Sequence, residues 1–181
     1  CGADDFMRKP FSIEELIAEC GLTKGGFFYH FKDKTDLAKA LLLRYVEEDE
    51  KVYDRIFGQA RDLVDDPLQM FLLGLKLLAD VMGDMPNGHP GCIVAVSCYY
   101  ERMFDQGLRE INTAADLQWR RRFRAILDEV GTRYRPREPV DLDELADMVS
   151  TVLEGGIVMA KALHDPASLK RQILTFRALV Q

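Results

Sequence analysis

The chain has 181 residues, 48% of them hydrophobic, with 24 Lys/Arg against 30 Asp/Glu and a net charge of -6. That is enough for one large domain or two small ones around a real core, and the balance is that of an ordinary globular protein. No uncharged apolar run reaches the ~18 residues that span a bilayer, and the opening lacks the pattern of a secretory signal, so no membrane partner is expected. Cys1, Cys20, Cys92 and Cys98 form no C-x-x-C pair and no Cys/His cluster. They read as reduced thiols in a cytoplasmic protein that needs no metal and no cofactor. The negative charge argues against nucleic acid, but it is uneven. Residues 1–46 hold seven Lys/Arg and seven Asp/Glu, so the remaining residues carry the whole -6. A neutral head on an acidic body still permits DNA binding through the head.

In chain order, "SIEELIAEC" (12–20) opens on a capping box, Ser12 with Glu15, and puts Ile13, Leu16 and Ile17 on one helical face. Gly21 stands where a left-handed C-cap residue belongs. Thr23 can cap a short helix, 24–30, and Asp33 a long one in which Leu37, Leu41 and Tyr45 recur every four residues. Asp66-Pro67 opens "LQMFLLGLKLLADVM", apolar nearly all round and therefore expected to be central. "GDMPNGHPG" (83–91) reads as a loop, "CIVAVSCYYERMF" as a buried helix, and roughly 106–134 as a long helix broken by "RPREP". "DLDELADMVSTVLEGGIVMAKALHD" and "ASLKRQILTFRALV" complete an all-α chain, with Asp165-Pro166 between them. The expected organisation is a small N-terminal unit, 1–46, running into a larger helical body, 47–181.

Helix 12–20, the Gly21 turn and helix 24–30 have the layout of a helix-turn-helix, whose second helix enters the DNA major groove. Gly25 and Gly26 would let the backbone approach bases or phosphates, and Phe27 and Phe31 would pin the short helix to its neighbours. Tyr29, His30, Lys32 and Lys34 remain on or near the outer side to meet phosphates. Geometry alone leaves open a tight αα-corner with solvated lysines.

"IEELIAECGLTKGGFFYHFKDKTDLAKAL" resembles the recognition segment of TetR-type transcriptional repressors, I-A-x-x-A-G-V-[ST]-x-G-x-[LF]-Y-x-[HY]-F-x-x-K-x-x-L. The likeness runs through Ile17, Ala18, Gly21, Leu22, Thr23, Gly25, Phe27, His30, Phe31, Lys34 and Leu37. It implies a three-helix DNA-binding head and a ligand-binding, dimerising body. It places Lys24, Gly25, Gly26 and Tyr29 at base contacts and Thr23, His30 and Lys34 at phosphates. The family's usual tyrosine is Phe28 here, with Tyr29 next along. "ADDFMRKPF" matches only the end of the family's first helix, with Pro10 where glycine is usual, so the first helix is expected to be truncated.

Elsewhere, "QWRRRFRAIL" (118–127) is the most basic stretch. Its spacing turns Trp119, Phe123 and Ile126 inward and pairs Asp116 with Arg120 and Arg124 with Asp128, which makes it a solvated helix face. Cys92 at a helix start reads as a buried thiol or a redox sensor, and His89 as a loop residue or pocket rim. No Ser-His-Asp, Cys-His or carboxylate pairing stands out, so no enzyme is expected. Met70, Phe71, Tyr99, Tyr100, Met103 and Trp119 read as core residues that would, in a TetR-type body, line a site for a small apolar or aromatic inducer. Leu145, Val149, Val152, Gly156, Met159 and Leu163 step by 4, 3, 4, 3, 4, and Leu169, Ile173, Phe176 and Val180 repeat that rhythm. Such seams from two chains would form a four-helix homodimer interface, or each would pack within its own domain. The whole reads as a dimeric repressor released from double-stranded operator DNA by a small-molecule inducer. The alternative is a ligand-binding or structural helical dimer without DNA binding.

Overall fold

The computed structural model describes residues 12–99 and 105–181, and every regular element among them is an α-helix. Cys1, Pro10 and the rest of the expected truncated first helix, with Tyr100 and Met103, lie outside the described residues. The chain divides into two compact units. One falls within Cys1–Glu48 and Cys92–Ala115, the other within Asp49–Gly91 and Asp116–Gln181. They are called the head and the body below.

In the head, α1 (Ile13–Glu19) starts on the expected box. Ser12 Oγ accepts from the Glu15 N–H at 3.1 Å, and the Glu15 carboxylate accepts from the Ser12 N–H at 2.8 Å. The helix ends in a Schellman motif, with Gly21 at φ 64°. There the Leu22 N–H reaches the Ile17 carbonyl at 2.8 Å and the Gly21 N–H the Ala18 carbonyl at 3.3 Å. Thr23 Oγ1 accepts from the Gly26 N–H at 3.0 Å and opens α2 (Lys24–His30). Asp33 accepts from the Asp36 N–H at 2.9 Å at the start of α3 (Lys34–Leu63).

The expected row of Leu37, Leu41 and Tyr45 lies on the core side of the long helix, beside a deeper one. Ala38 and Leu42 are fully buried, while Leu41 and Tyr45 pack against them and Leu37 is half-buried. Two adjacent i,i+4 rows share the stripe, and the small Ala38 occupies its centre. Ile93 of α5 (Ile93–Tyr99) and Leu108 of α6 (Gln106–Gly131) close this core with Ala38 and Leu42. The described part of α5 is one-sided rather than buried all round: Ile93 and Ser97 face in, and Cys98 and Tyr99 are exposed. Asn112 bridges within the unit, donating to the Val94 carbonyl at 3.2 Å and to Cys98 Sγ at 2.9 Å.

In the body, Asp66 caps α4 (Pro67–Gly83), accepting from the Gln69 N–H at 2.9 Å. Nine α4 residues are buried, which makes the helix central as expected. A Cβ at Gly74 would collide with the Phe57 ring, so glycine sets how closely α4 and α3 pack. The rings of Tyr53, Phe57, Trp119 and Phe123 interlock, with Tyr53 and Trp119 centroids 4.5 Å apart. From Asp141, α7 (Leu142–Ala162) buries Ala146, Val149, Leu153, Gly156 and Ile157. The last helix, α8 (Ala167–Val180), packs on α4 and α7 through Leu169, Ile173 and Phe176.

Residues 118–127 are helical, with Phe123 and Ile126 buried and Trp119 half-buried. Arg124 meets Asp128 at 3.0 Å as expected, but it also reaches Asp143 on α7 at 2.7 Å. The expected Asp116–Arg120 pair gives way to Arg120–Asp147, at 2.6 Å. The bidentate contact to a neighbouring helix holds the guanidinium better than one i,i+4 carboxylate. Asp116 is instead raised by burial and then by the Asp147 charge. The basic stretch is therefore tied into the body rather than simply solvated.

Candidate nucleic-acid interface

The turn and its two caps fix the orientation of α2, and of that helix only Phe27 is buried. Its ring sits 5.3 Å from Phe28 edge-on and 5.7 Å from Phe31, which anchors the helix by aromatic contact. The opposite side is open. Lys24, Gly25, Tyr29, His30 and Lys34 are exposed, Tyr29 at 84%, and Phe28 at 46% is half in solvent. A Cβ at Gly25 would meet nothing within 4 Å, so its backbone is a bare surface patch. At Gly26 a Cβ would come 3.3 Å from the Thr23 hydroxyl that caps the same helix, so this glycine also protects the cap. Tyr29 and His30 stack edge to face at 4.9 Å. The residues expected at the interface, Thr23 to Lys34, thus share one exposed segment.

One member of that face was invisible in the local pattern. Glu14 of α1 reaches across ten residues to Lys24, Oε1 to Nζ 3.1 Å. Its carboxyl is held below the usual range by a backbone N–H at the helix start and then by Lys24. The pair is fully solvated, so a phosphate or base can compete for the ammonium with little loss.

The other expected site residues scatter. Met70 and Phe71 are buried in the body core, and Trp119 lies half-buried beside Tyr53. Tyr99 is 83% exposed and belongs to the head. Along the expected seams, Val149, Gly156, Leu169, Ile173 and Phe176 are buried within the body. Leu145, Val152 and Val180 are half-buried, and Met159 and Leu163 are exposed. A Cβ at Gly156 would stand 2.7 Å from Leu169 Cδ1. His89 is a loop residue whose Nδ1 accepts from the Gly91 N–H at 3.2 Å, and Cys92 is buried. Among the described residues no group of His, Cys, Asp or Glu could hold a metal ion, and no helix is long and apolar enough to cross a membrane.

Residues 9–41 match the profile of the family described as bacterial regulatory proteins, tetR family. The head therefore carries a TetR-type helix-turn-helix. The TetR-type fold extends beyond the matched segment. A regulatory protein TetR from Rhodobacter sphaeroides superposes with a TM-score of 0.76 at 22% identity, over 93% of this chain and 87% of that one. A TetR-family transcriptional regulator from Agrobacterium tumefaciens gives 0.76 at 18% identity, over 98% and 90%. A TetR transcriptional regulator from Chloroflexus aurantiacus gives 0.74 at 22%, over 93% and 83%. No curated protein sequence matches the chain. In this chain the TetR-type helix-turn-helix presents the exposed face of α2 with its flanking caps.

Proposed function

We propose that this protein is a homodimeric, cytoplasmic repressor that leaves its operator when a small molecule binds the body. The observation that carries the reading is the division of labour on α2: Phe27 alone anchors, while Lys24, Gly25 and Tyr29 point outward. In this reading Lys24, Gly25, Gly26 and Tyr29 approach bases, and Thr23, His30 and Lys34 hold phosphates. Residues 1–46 act as the DNA-binding domain and 47–181 as the ligand-binding and dimerisation domain. Lys34→Ala should weaken binding to every sequence and flatten the salt slope by about one unit. Lys24→Ala should instead relax discrimination at one base position, where a contact is worth about 1–3 kcal/mol. Gel shifts of upstream DNA at several salt concentrations separate the two, and variants indistinguishable from the parent would remove the head as a reader.

Dimerisation is supported by the exposed apolar residues Met148, Val158 and Met159 of α7 and Leu163 at its end. Gly156→Arg would strike the protein's own Leu169, so Met159→Arg is the sharper probe. It should convert dimers to monomers in light scattering, and a parent that is already monomeric ends the proposal. The inducer site is expected near Met70, Phe71 and Trp119. An inducer must favour the DNA-incompetent state, and DNA must weaken its binding by the same factor, about 5- to 150-fold for a coupling of 1–3 kcal/mol.

A further inference from the structure

Asp49, Glu50 and Tyr53 share one side of α3, because residues three and four apart are neighbours on a helix, and all three lie in the body. Tyr53 is 4% exposed, its ring enclosed by Phe57, Trp119 and Phe123 at 5.5, 4.5 and 5.4 Å. Its hydroxyl and the buried Oε1 of Glu50 make no hydrogen bond among the described residues. Arg122 faces this side and forms ion pairs with both Asp54 and Glu50, but donates a hydrogen bond only to Asp54. Its Nη1 lies 2.7 Å from Asp54, while Nη2 stands 3.9 Å from Glu50 Oε1, beyond hydrogen-bond range. Asp49 is pushed up to about 6 by burial and then by the Glu154 carboxylate. Burial and then the Asp49 charge push the Tyr53 phenol up, against the pull of Arg122.

Buried oxygens without donors, beside excess negative charge and aromatic faces, ask for a cationic donor rather than an anion or a hydrocarbon. We propose that Asp49, Glu50 and Tyr53, walled by Trp119, hold the ammonium of a small arylalkylamine. The three N–H donors of a primary ammonium match three oxygens: Glu50 Oε1, the Tyr53 hydroxyl and a carboxylate oxygen of Asp49. The aryl group lies against the indole. This rests on the ligand-responsive reading and sharpens it, replacing an apolar inducer with a cationic amphiphile.

Trp119 is the only tryptophan of the chain, so tryptophan emission reports on this spot alone. Phenethylammonium should give a saturable change in Trp119 emission, while the neutral isostere phenethyl alcohol and the anion 3-phenylpropionate should give none. Tyr53→Phe, which keeps the packed ring, and Glu50→Gln should each weaken the amine about tenfold or more. Asp62→Asn, an exposed acid of the body, should leave it unchanged. Equal response to amine and alcohol, affinities unchanged in both variants, or no saturable signal at millimolar amine would each overturn the site and leave water on those oxygens. The titration contains no DNA, so it stands apart from the gel shifts. Amine binding without any effect on operator affinity would keep the site and remove the ligand-responsive reading.

Discussion

In the head, α1 buries no residue and α2 buries one, whereas α4 of the body buries nine. The first two helices are therefore held by their ends: the Ser12–Glu15 box, the Gly21 turn, the Thr23 cap and the Asp33 cap. The body is held by interlocked rings and by arginines tied to carboxylates on neighbouring helices. An element whose outer face must meet a partner cannot also bury that face. It substitutes local hydrogen bonds, each worth about a kilocalorie, for a hydrophobic core.

The largest test of this contrast is the one anchor. Phe27→Ala should destabilise the head by about 3–5 kcal/mol, the usual range for emptying a buried phenylalanine. Amide exchange should speed up through α1 and α2 while α4 stays protected, and uniform loss in both units would break the comparison. Asp49→Asn tests the body. The folded pKa of Asp49, about 6, lies above its ordinary 3.8. The folded state thus holds the proton more tightly, and this group's contribution is complete below about pH 4 and lost as pH rises through about 6. Urea melts should find Asp49→Asn more stable than the parent by about 2 kcal/mol near pH 8 and equal to it near pH 4.

The smallest effect compares two helix ends of the same kind. Both α1 and α7 close with Schellman bonds, but the left-handed residue is Gly21 in one and His164, at φ 51°, in the other. Gly21→Ala should cost about 1 kcal/mol, and His164→Gly should return a similar amount. Calorimetry that found the same sign for both would contradict the strain assigned to His164.

Legibility followed range. Ser12 with Glu15, Gly21 and Thr23 act within three or four residues, so their spacing displays the bonds they make. The Glu14–Lys24 pair and the Arg120–Asp147 contact join separate helices, and no local period encodes which carboxylate an arginine will meet. Asp49, Glu50 and Tyr53 were visible at helical spacing, but in "EEDEKVYDR" they look like any solvated acidic face until Trp119 and Phe123 cover the phenol. The 4-3 rhythm of α7 and α8 reports that a face is covered and is silent on what covers it. Val149 and Gly156 meet their own domain, while Met159 and Leu163 meet solvent.

With Phe27 as the sole inward side chain of α2, the positions around it are nearly independent of folding. Lys24, Gly25 and Tyr29 can be exchanged without emptying a core or breaking a cap, so on the proposed DNA-reading role new binding preferences are reachable by single mutations through folded intermediates. The same property makes the segment a practical scaffold for randomised libraries. The conservative parts, Thr23, Gly26 and Phe27, form a frame into which a different reading surface can be set, and a lineage can change its target while keeping its shape.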